Sequence, residues 1–259
     1  MLVSTRTLKI ESHVRETPSI KTIRFKESMD AVPGQFIMVW VPGVDEFPMS
    51  LSYIGRRFGI TYQVVGEGTR ALSEMKKGDR VGIRGPYGKG FELAGRRILM
   101  VAGGTGIAAL GSLVEQAARS VSTDLILGAR KKEELLFEGR CRRTAASVLI
   151  STDDGSKGFH GLATELAMEI LLKKKVDSIY ACGPEKMISG LLDMTSDKPV
   201  RIQASLERIM KCGIGVCDSC AIDGKHVCTD GPVFRDRELR ALSDLGEFKR
   251  DHSGRRIPV

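Results

Sequence analysis

Four of the six cysteines lie within nineteen positions, in the stretch MKCGIGVCDSCAIDGKHVC at residues 210–228. Their order and spacing are Cys212-x4-Cys217-x2-Cys220-x7-Cys228. Zinc sites usually pair two C-x2-C units across a longer gap, whereas a first gap of four is the plant-type spacing of an iron–sulfur cluster. Gly213 and Gly215 suit a loop that turns its N–H groups toward the sulfur atoms. The pattern predicts a 2Fe–2S centre, with structural zinc as the alternative.

A glycine-rich turn, VAGGTGIAAL at residues 101–110, follows a buried apolar run and precedes a helical pattern. Gly104, Gly106 and Ala109 have the G-x-G-x-x-A spacing, and Gly103 precedes them. Glycines allow a tight turn and let backbone N–H groups approach a pyrophosphate at the positive end of a helix. The same spacing also occurs where a strand and a helix merely pack tightly. Its place at the first strand of a βαβ series favours a dinucleotide site.

Acidic residues beyond this turn bear on the choice between NAD and NADP. Asp124 lies about 20 residues on, but it begins the second strand, whereas the ribose-binding acid belongs at a strand's end. That end carries Arg130 instead. The third strand ends in Asp153 and Asp154, which would repel a 2′-phosphate. We therefore assign Asp153 to the cofactor site and favour NAD, with loop solubility as the alternative role of both acids.

A further candidate is ACGP at residues 181–184, which ends a later strand of the same series. Ligands of open α/β sheets bind at the carboxyl ends of the strands, so Cys182, Gly183 and Pro184 are assigned to the nicotinamide cofactor. Cys141, in the basic stretch RKKEELLFEGRCRR, is expected to be a small buried apolar residue without a functional role.

Two kinds of secondary structure must position these residues. Residues 1 to about 92 contain short Val-, Ile- and Phe-rich runs separated by turn signals, a pattern typical of a small antiparallel barrel. Its one helical pattern is TRALSEMKKG, with Thr69 as the expected N-cap. From Arg96 onward strands alternate with helices, which implies βαβ units and a parallel sheet. The predicted fold is multi-domain, α/β plus β: a barrel (1–94), an α/β nucleotide-binding domain (95–200), and a small cluster domain with a C-terminal tail (201–259).

Composition limits the partners and the compartment. The 259 residues are 42% hydrophobic and 28% charged, and the formal net charge is +8. No apolar run approaches the roughly 18–20 residues of a membrane span, and the N-terminus alternates like a strand rather than a signal peptide. The densest basic stretch, 130–143, contains three glutamates and aromatic residues are only 5%, which disfavours nucleic acid. We expect a cytoplasmic protein without disulfides, whose positive charge attracts phosphate-bearing cofactors or an acidic protein partner.

The chain resembles the ferredoxin-reductase superfamily in its order of barrel, dinucleotide fold and cysteine motif. Within that superfamily it is most similar to the electron-transfer subunits of NAD-dependent dihydroorotate dehydrogenases. The iron–sulfur segment is the most diagnostic part. The matching segments are PMSLS (48–52), YQVVGEGT (62–69), GDRVGIRGPYGKGF (78–91), VAGGTGIAAL (101–110), STDDGSKGFHG (151–161), ACGP (181–184), SLERIMKCGIGVCDSC (205–220) and VCTDGPVF (227–234).

This resemblance implies that the barrel holds FAD. The implied contacts are Pro48, Met49 and Ser50 along the flavin ring and ribityl chain, Thr61, Tyr62 and Gln63 on the adenine side, and Gly68 and Thr69 at the pyrophosphate. Met49 and Tyr62 have barrel core as their alternative role. The family usually has a phosphate-binding arginine just before P-x-S, where this chain has Phe47. That departure predicts weaker flavin retention unless Arg56, Arg57 or Arg70 substitutes, and it leaves FMN as an alternative.

The three implied cofactors form a relay. NAD accepts a hydride and a 2Fe–2S centre carries single electrons, so a flavin, which can do both, must lie between them. The resemblance implies that electrons pass from dihydroorotate through an FMN-containing catalytic subunit to this cluster, then to FAD and NAD+, in pyrimidine (UMP) synthesis.

No dihydroorotate-oxidising site is evident in the chain, so no catalytic residue is assigned and a hetero-oligomer, specifically a heterotetramer, is expected. One alternative is the corresponding subunit of a ferredoxin:NADP reductase, sulfide dehydrogenase or soluble hydrogenase. The other is a zinc-stabilised interaction module without redox chemistry.

Overall fold

A closed antiparallel barrel forms the first part of the computed structural model, which describes residues 4–259. The first three residues of the predicted barrel unit, 1–94, lie outside that range. The elements are β1 (Arg6–Arg15), β2 (Ile20–Phe25), β3 (Ser28–Met29), β4 (Phe36–Val41), β5 (Asp45–Tyr53), β6 (Gly55–Arg56), β7 (Gly59–Gln63), α1 (Glu67–Glu74) and β8 (Arg80–Tyr87). Six strands close in the order β1-β2-β7-β5-β4-β8. Alternate Val, Ile and Phe side chains point inward, which gives the barrel a core of its own.

Helix α1 begins three residues earlier than the sequence pattern predicts. Thr69 is not its N-cap, because the helix starts at Glu67 and Gly66 takes the cap position. The Thr69 hydroxyl instead accepts hydrogen bonds from the N–H groups of Val65 and Gly66, both at 2.9 Å, and donates to the Gly66 carbonyl at 3.0 Å. The hydroxyl therefore closes the turn that precedes the helix.

A parallel sheet forms the second part. Its elements are β9 (Arg97–Gly103), α2 (Ile107–Ala117), β10 (Ser122–Ala129), α3 (Glu138–Cys141), β11 (Ser147–Thr152), β12 (Phe159–His160), α4 (Ala163–Lys173), β13 (Ser178–Cys182), α5 (Glu185–Asp193) and β14 (Arg201–Ser205). The strand order is β12-β11-β10-β9-β13-β14, all parallel, so the chain winds away from β9 first in one direction and then in the other. The stretch KKEELLF (131–137) has a helical pattern, but it forms only a single turn at 132–134, and the short α3 follows it.

The C-terminal part is not separate from this sheet. Its elements are β15 (Ala221–Ile222), β16 (Lys225–His226), β17 (Val233–Arg235), α6 (Asp236–Arg240), β18 (Phe248–Arg250) and β19 (Arg256–Pro258). Strand β17 pairs antiparallel with β14 and becomes the seventh strand. The proposed unit boundary at residue 200 thus falls between α5 and two strands of the sheet.

One hydrophobic core links all three parts. It contains Phe36 and Met38 of the barrel, Val101 and Ala181 of the parallel sheet, and Cys220 and Cys228 of the cysteine segment, among others. Within residues 4–259 no helix has the length and apolar character needed to cross a bilayer.

Candidate functional site

A tight hairpin brings the last two cysteines of the motif together. Strands β15 and β16 pair through a two-residue turn, Asp223–Gly224, in which both residues have positive φ, as a type I′ turn requires. Cys220 and Cys228 flank this hairpin, and both are buried in the shared core. Their thiols are thus placed by local turn chemistry and by packing.

Backbone N–H groups of the preceding loop point at the sulfur atoms. Ile214 and Val216 donate to Cys212 Sγ at 3.4 Å, and Gly215 donates to Cys228 Sγ at 3.2 Å. Gly213 and Gly215 make this possible, because their φ values of 72° and 75° lie in the left-handed region that side chains disfavour. Such donors stabilise negative charge on sulfur, so the loop suits thiolate ligands.

The four thiols form two neighbouring pairs. Burial opposes ionisation of Cys217, but hydrogen bonds with Ser219 and Cys212 outweigh it and lower its pKa to about 6. Burial and the adjacent Cys220 raise the pKa of Cys228 to about 12. Among residues 4–259, no three or more His, Cys, Asp or Glu side chains have the arrangement of a single-ion site. Cys212 with Cys217, and Cys220 with Cys228, thus form two adjacent thiol pairs, which together make the four cysteine ligands that a 2Fe–2S cluster requires.

The predicted nicotinamide residues meet at the carboxyl edge of the parallel sheet. The Gly103–Gly106 turn and the Cys182–Pro184 segment follow β9 and β13, neighbouring strands at the point where the winding reverses. A Cβ on Gly106 would lie 2.0 Å from the Cys182 carbonyl oxygen, so the two segments touch through their backbones. A Cβ on Gly104 would meet nothing within 4 Å. Gly104 is therefore the open position of the turn, and it lies where α/β sheets bind ligands.

The two candidate ribose-binding acids, Asp153 and Asp124, lie at opposite ends of the parallel strands. Asp153 follows β11, is exposed, and donates its backbone N–H to the Ala129 carbonyl at the end of β10. Asp124 lies near the start of β10 and binds Lys174 Nζ at 2.7 Å. Asp153 is thus on the edge that carries the glycine turn, and Asp124 is not. Asp154 accepts a hydrogen bond from the N–H of Ser156 within its own loop. Hydrogen bonds from Ser156 also lower the pKa of Asp154.

Cys182 is a neutral thiol beside the glycine turn. Burial raises its pKa to about 12, although part of the residue remains accessible. A hydrogen bond with Ser205, at the end of β14, lowers the pKa of Cys182, but by less than burial raises it. The side chain therefore offers a proton-bearing sulfur rather than a thiolate at this edge.

The predicted flavin residues of β5 lie in a half-buried row. Pro48 and Ser50 point out of the barrel, whereas Phe47 and Met49 pack toward its core. Phe47 occupies the place of the family arginine, and a Cβ on Gly68 would lie 2.5 Å from its ring. The aromatic ring thus covers the start of α1, where a cation was expected.

The three residues of β7 differ in what they can offer a cofactor. Tyr62 lies in the barrel core, where burial raises its pKa and its hydroxyl bonds to His13 Nε2 at 3.0 Å. Thr61 is buried in a hydroxyl chain and donates to Ser52 Oγ at 2.8 Å. Of the three, Gln63 alone has an exposed side chain. The side chains of Thr61 and Tyr62 are therefore committed to the barrel.

Arg140 joins the barrel to the sheet domain, and sequence reasoning did not single it out. It is 8% exposed, donates to the Ser52 carbonyl at 2.9 Å and pairs with Glu115 at 2.7 Å. Its guanidinium lies over one face of Tyr53, whose ring also receives Arg24 at 3.7 Å from its centroid. Because Arg140 stands in an ordinary basic stretch, nothing in the sequence distinguishes it.

Comparison with known proteins identifies the family. A family model described as "Iron-sulfur cluster binding domain of dihydroorotate dehydrogenase B" matches residues 207–240, and an "Oxidoreductase NAD-binding domain" matches residues 100–192. A curated relative from Methanocella arvoryzae, named "Probable dihydroorotate dehydrogenase B (NAD(+)), electron transfer subunit", is 48% identical over 257 residues. The alignment covers 96% of this chain and 97% of the relative. The chain belongs to this family.

Further relatives carry the same name. The dihydroorotate dehydrogenase B electron transfer subunit of Thermoplasma volcanium is 44% identical over 250 residues, which cover 96% of this chain and 97% of that protein. The relation to this family of oxidoreductase subunits is therefore confirmed. The predicted iron–sulfur and nicotinamide-binding segments are confirmed by the two family models.

Solved structures agree with this assignment. The structure of an NADH-dependent reduced ferredoxin-NADP oxidoreductase has a TM-score of 0.82 and 27% identity, and the match covers 93% of each chain. A ferredoxin NADP+ reductase from Neisseria gonorrhoeae, solved with bound FAD and NADP, has a TM-score of 0.65 and 20% identity over 77% of this chain and 98% of its own. The latter match concerns the fold alone. The predicted combination of barrel, parallel sheet and cluster segment is confirmed.

Proposed function

We propose that this chain is the electron-transfer subunit of an NAD-dependent dihydroorotate dehydrogenase, acting in UMP synthesis. It passes electrons from a dihydroorotate-oxidising catalytic subunit through a 2Fe–2S cluster and FAD to NAD+. One observation carries the proposal: Cys220 and Cys228 share a hydrophobic core with Met38 of the barrel and Ala181 of the parallel sheet. A cluster, a flavin and a nicotinamide cofactor would thus be held by one folded body.

The cysteine loop would hold the cluster. Cys212, Cys217, Cys220 and Cys228 are the ligands, and the N–H groups of Ile214, Gly215 and Val216 stabilise the charge of the thiolates. The exposed Cys217 and half-buried Cys212 form the outer pair, and the buried Cys220 and Cys228 form the inner pair. This arrangement gives the cluster one side facing solvent and one side facing the barrel.

The outward-facing residues of β5 and the exposed end of β7 would hold FAD, which supplies the exchange between hydride and single-electron transfer when bound. Pro48 and Ser50 face out of the barrel, and Met49 supports them from the core side. Gly68, covered by the Phe47 ring at the start of α1, could offer a ligand only backbone groups, and Gln63 is the one exposed side chain of the three predicted residues in β7. Thr61, Tyr62 and Thr69 would contribute to the flavin site through the backbone, because their hydroxyl groups are already bonded.

The carboxyl edge of the sheet would hold NAD. Open Gly104 would approach the pyrophosphate, with Gly103 and Gly106 on either side of the turn, and Cys182, Gly183 and Pro184 would line the side of the nicotinamide ring. The exposed carboxylate of Asp153 would accept a hydrogen bond from a ribose hydroxyl and repel a 2′-phosphate.

The partner would dock on the cysteine loop. Ile214 and Val216 are 52% and 77% exposed, so two apolar side chains of the loop face solvent beside Cys212 and Cys217. Apolar contact here would bring an FMN-containing catalytic subunit to the outer cysteine pair, and two copies of each subunit would make a heterotetramer. Four thiols that bind iron rather than pair as disulfides fit the cytoplasm.

Anaerobic preparation of the protein tests the proposal. We expect iron and acid-labile sulfide in equal amounts and flavin absorption bands. Cys217→Ser should lose iron while NADH oxidation by artificial two-electron acceptors stays within about twofold, since that reaction needs only the flavin and nicotinamide sites. The matched control is Cys141→Ser, a buried cysteine outside the loop, which should keep its iron.

Two outcomes would contradict the proposal. Stoichiometric zinc in a colourless protein would favour the interaction module. Loss of NADH oxidation in Cys217→Ser with flavin still bound would show that the carriers have a different order. Co-purification with a subunit that oxidises dihydroorotate, in a complex that reduces NAD+ when dihydroorotate is supplied, would establish the partner.

A further inference from the structure

Arg84 and Glu46 form a two-point ion pair on the barrel face that carries the cysteine loop. Arg84 Nε and Nη2 donate to the two Glu46 carboxylate oxygens at 2.8 and 2.6 Å. The side chains are only 17% and 26% exposed. Arg84 belongs to β8 and Glu46 to β5, so the pair spans β4, the strand between them. Such a parallel pair of hydrogen bonds fixes the guanidinium plane.

The remaining donors of Arg84 reach the loop and its support. Nη2 also donates to the Cys212 carbonyl oxygen at 3.3 Å, and Nη1 donates to the Tyr87 hydroxyl at 3.2 Å. The next loop residue, Gly213, lies on the same face: a Cβ there would be 3.0 Å from Met38 Cγ and 3.7 Å from Tyr87 Cδ2. Arg84, Met38 and Tyr87 therefore form one platform under Cys212 and Gly213.

This platform adjoins the strand assigned to the flavin. Met38 of β4 is the register partner of Pro48 in β5 and of Arg84 in β8. Neighbouring strands lie about 4.8 Å apart, so one strand spacing separates the loop's support from the proposed flavin row. A movement of the loop on this platform changes the distance between the two redox sites directly.

We propose that Arg84 is a positioning residue for electron transfer. It anchors the Cys212 side of the cysteine loop to the barrel and so sets the separation between the cluster and the flavin. The inference rests on the function proposed above. Glu46 neutralises the charge of Arg84, so the role is geometric: the planar fork must hold Glu46, Tyr87 and the Cys212 carbonyl at once. A lysine ammonium has the charge but not the fork.

Hydrogen exchange of the protein as purified tests the anchor. Arg84→Met and Arg84→Lys should both speed exchange of the Ile214, Gly215 and Val216 amides by about tenfold, the size of one lost hydrogen bond to a charged group. The matched control is Arg235→Met, which breaks an arginine–glutamate pair with Glu92 that is 64% and 68% exposed and lies outside the loop. It should leave these amides unchanged.

Rapid mixing with NADH tests the consequence. In both Arg84 variants the bleaching of the flavin by NADH should keep its wild-type rate, whereas the subsequent appearance of reduced cluster should slow about tenfold. A role in folding alone would change both steps or neither. Wild-type amide exchange in Arg84→Met, or a wild-type cluster rate in Arg84→Lys, would overturn the inference. Absence of iron from the wild type would refute the proposed function instead, and the exchange measurement would still decide the anchor.

Discussion

Asp153 and Asp124 show how position within a strand decides what a carboxylate can do. Both lie in the parallel sheet, but Asp153 follows a strand and Asp124 nearly begins one. In a parallel sheet all carboxyl ends share one edge, so only Asp153 lies with the glycine turn. Asp124 is paired with Lys174 at the other edge.

Replacing Asp153 with Ser should therefore reduce the preference for NADH over NADPH. The exposed carboxylate contributes a hydrogen bond to the ribose and repulsion toward a 2′-phosphate, and its loss should lower the ratio of kcat/KM values about tenfold. Asp124→Ser is the control and should leave that ratio unchanged. An unaltered ratio in Asp153→Ser would remove Asp153 from the cofactor site.

Tyr62 shows that a sequence motif does not determine which way a single strand residue faces. The cysteine spacing, the glycine turn and ACGP all depend on sequence-local geometry. The structure places the four cysteines in one segment as two pairs, and it places the glycine turn against the Cys182–Pro184 segment. Whether a strand residue faces inward or outward depends on register and on neighbours far along the chain. Tyr62 faces His13, 49 positions away, and no local signal specifies that contact. Arg140 and Arg84 act across similarly long separations.

Turns, more than helices or strands, decide the positions of the ligands. The Asp223–Gly224 turn brings Cys220 and Cys228 together, and a D-G pair is a hairpin signal that the sequence does contain. The helix expected for KKEELLF shortens because Leu136 and Phe137 leave the helical path to fill the core under α2. Tertiary packing therefore overrides propensity at that element.

Two alanine substitutions in the glycine turn should have different effects. Gly106→Ala would place a methyl group against the Cys182 carbonyl, at 2.0 Å before relaxation. We expect it to lower the free energy of unfolding by about 3 kcal/mol, the cost of overpacking a rigid contact. Gly104→Ala meets no neighbour, so its cost is limited to about 1–2 kcal/mol for its positive φ.

NADH affinity should be affected in the opposite order: Gly104→Ala should lose more affinity than Gly106→Ala. Gly104→Ala adds a methyl group at the open position of the turn, so it should reduce the free energy of NADH binding more than it reduces the free energy of unfolding. Chemical denaturation and NADH titration together measure both quantities. Equal losses of stability in the two variants would show that the contact between Gly106 and Cys182 is not rigid.

A buried ion pair connects the nucleotide edge to the cysteine segment across the whole molecule. Glu185 follows the Cys182–Pro184 segment and pairs with Arg208, which lies four residues before Cys212. Both side chains are almost fully buried, at 7% and 3% exposure. Glu185 also accepts the N–H of Gly246 at 3.0 Å, and Arg208 donates to the Phe248 carbonyl at 3.1 Å. The pair therefore joins three regions that are distant in sequence.

Breaking this pair on one side should be costly. Glu185→Gln leaves a buried guanidinium without its counter-charge and should lower the free energy of unfolding by about 3–5 kcal/mol. The control Glu169→Gln, in an exposed pair with Lys173, should cost less than about 0.5 kcal/mol. Denaturant titration measures both. The double variant Glu185→Leu/Arg208→Met should regain part of the loss, and a further decrease would contradict a purely electrostatic cost.

Strands β14 and β17 limit how the C-terminal part of the chain can be exchanged between proteins. They cover the flank of β13, and a chain ending before residue 201 would leave that strand with a bare row of amides and carbonyls. Bare strand edges recruit other chains and aggregate. The iron-binding segment therefore cannot be exchanged alone. An evolutionary or engineered exchange of this segment must include strands β14 and β17 of the nucleotide-binding sheet as well.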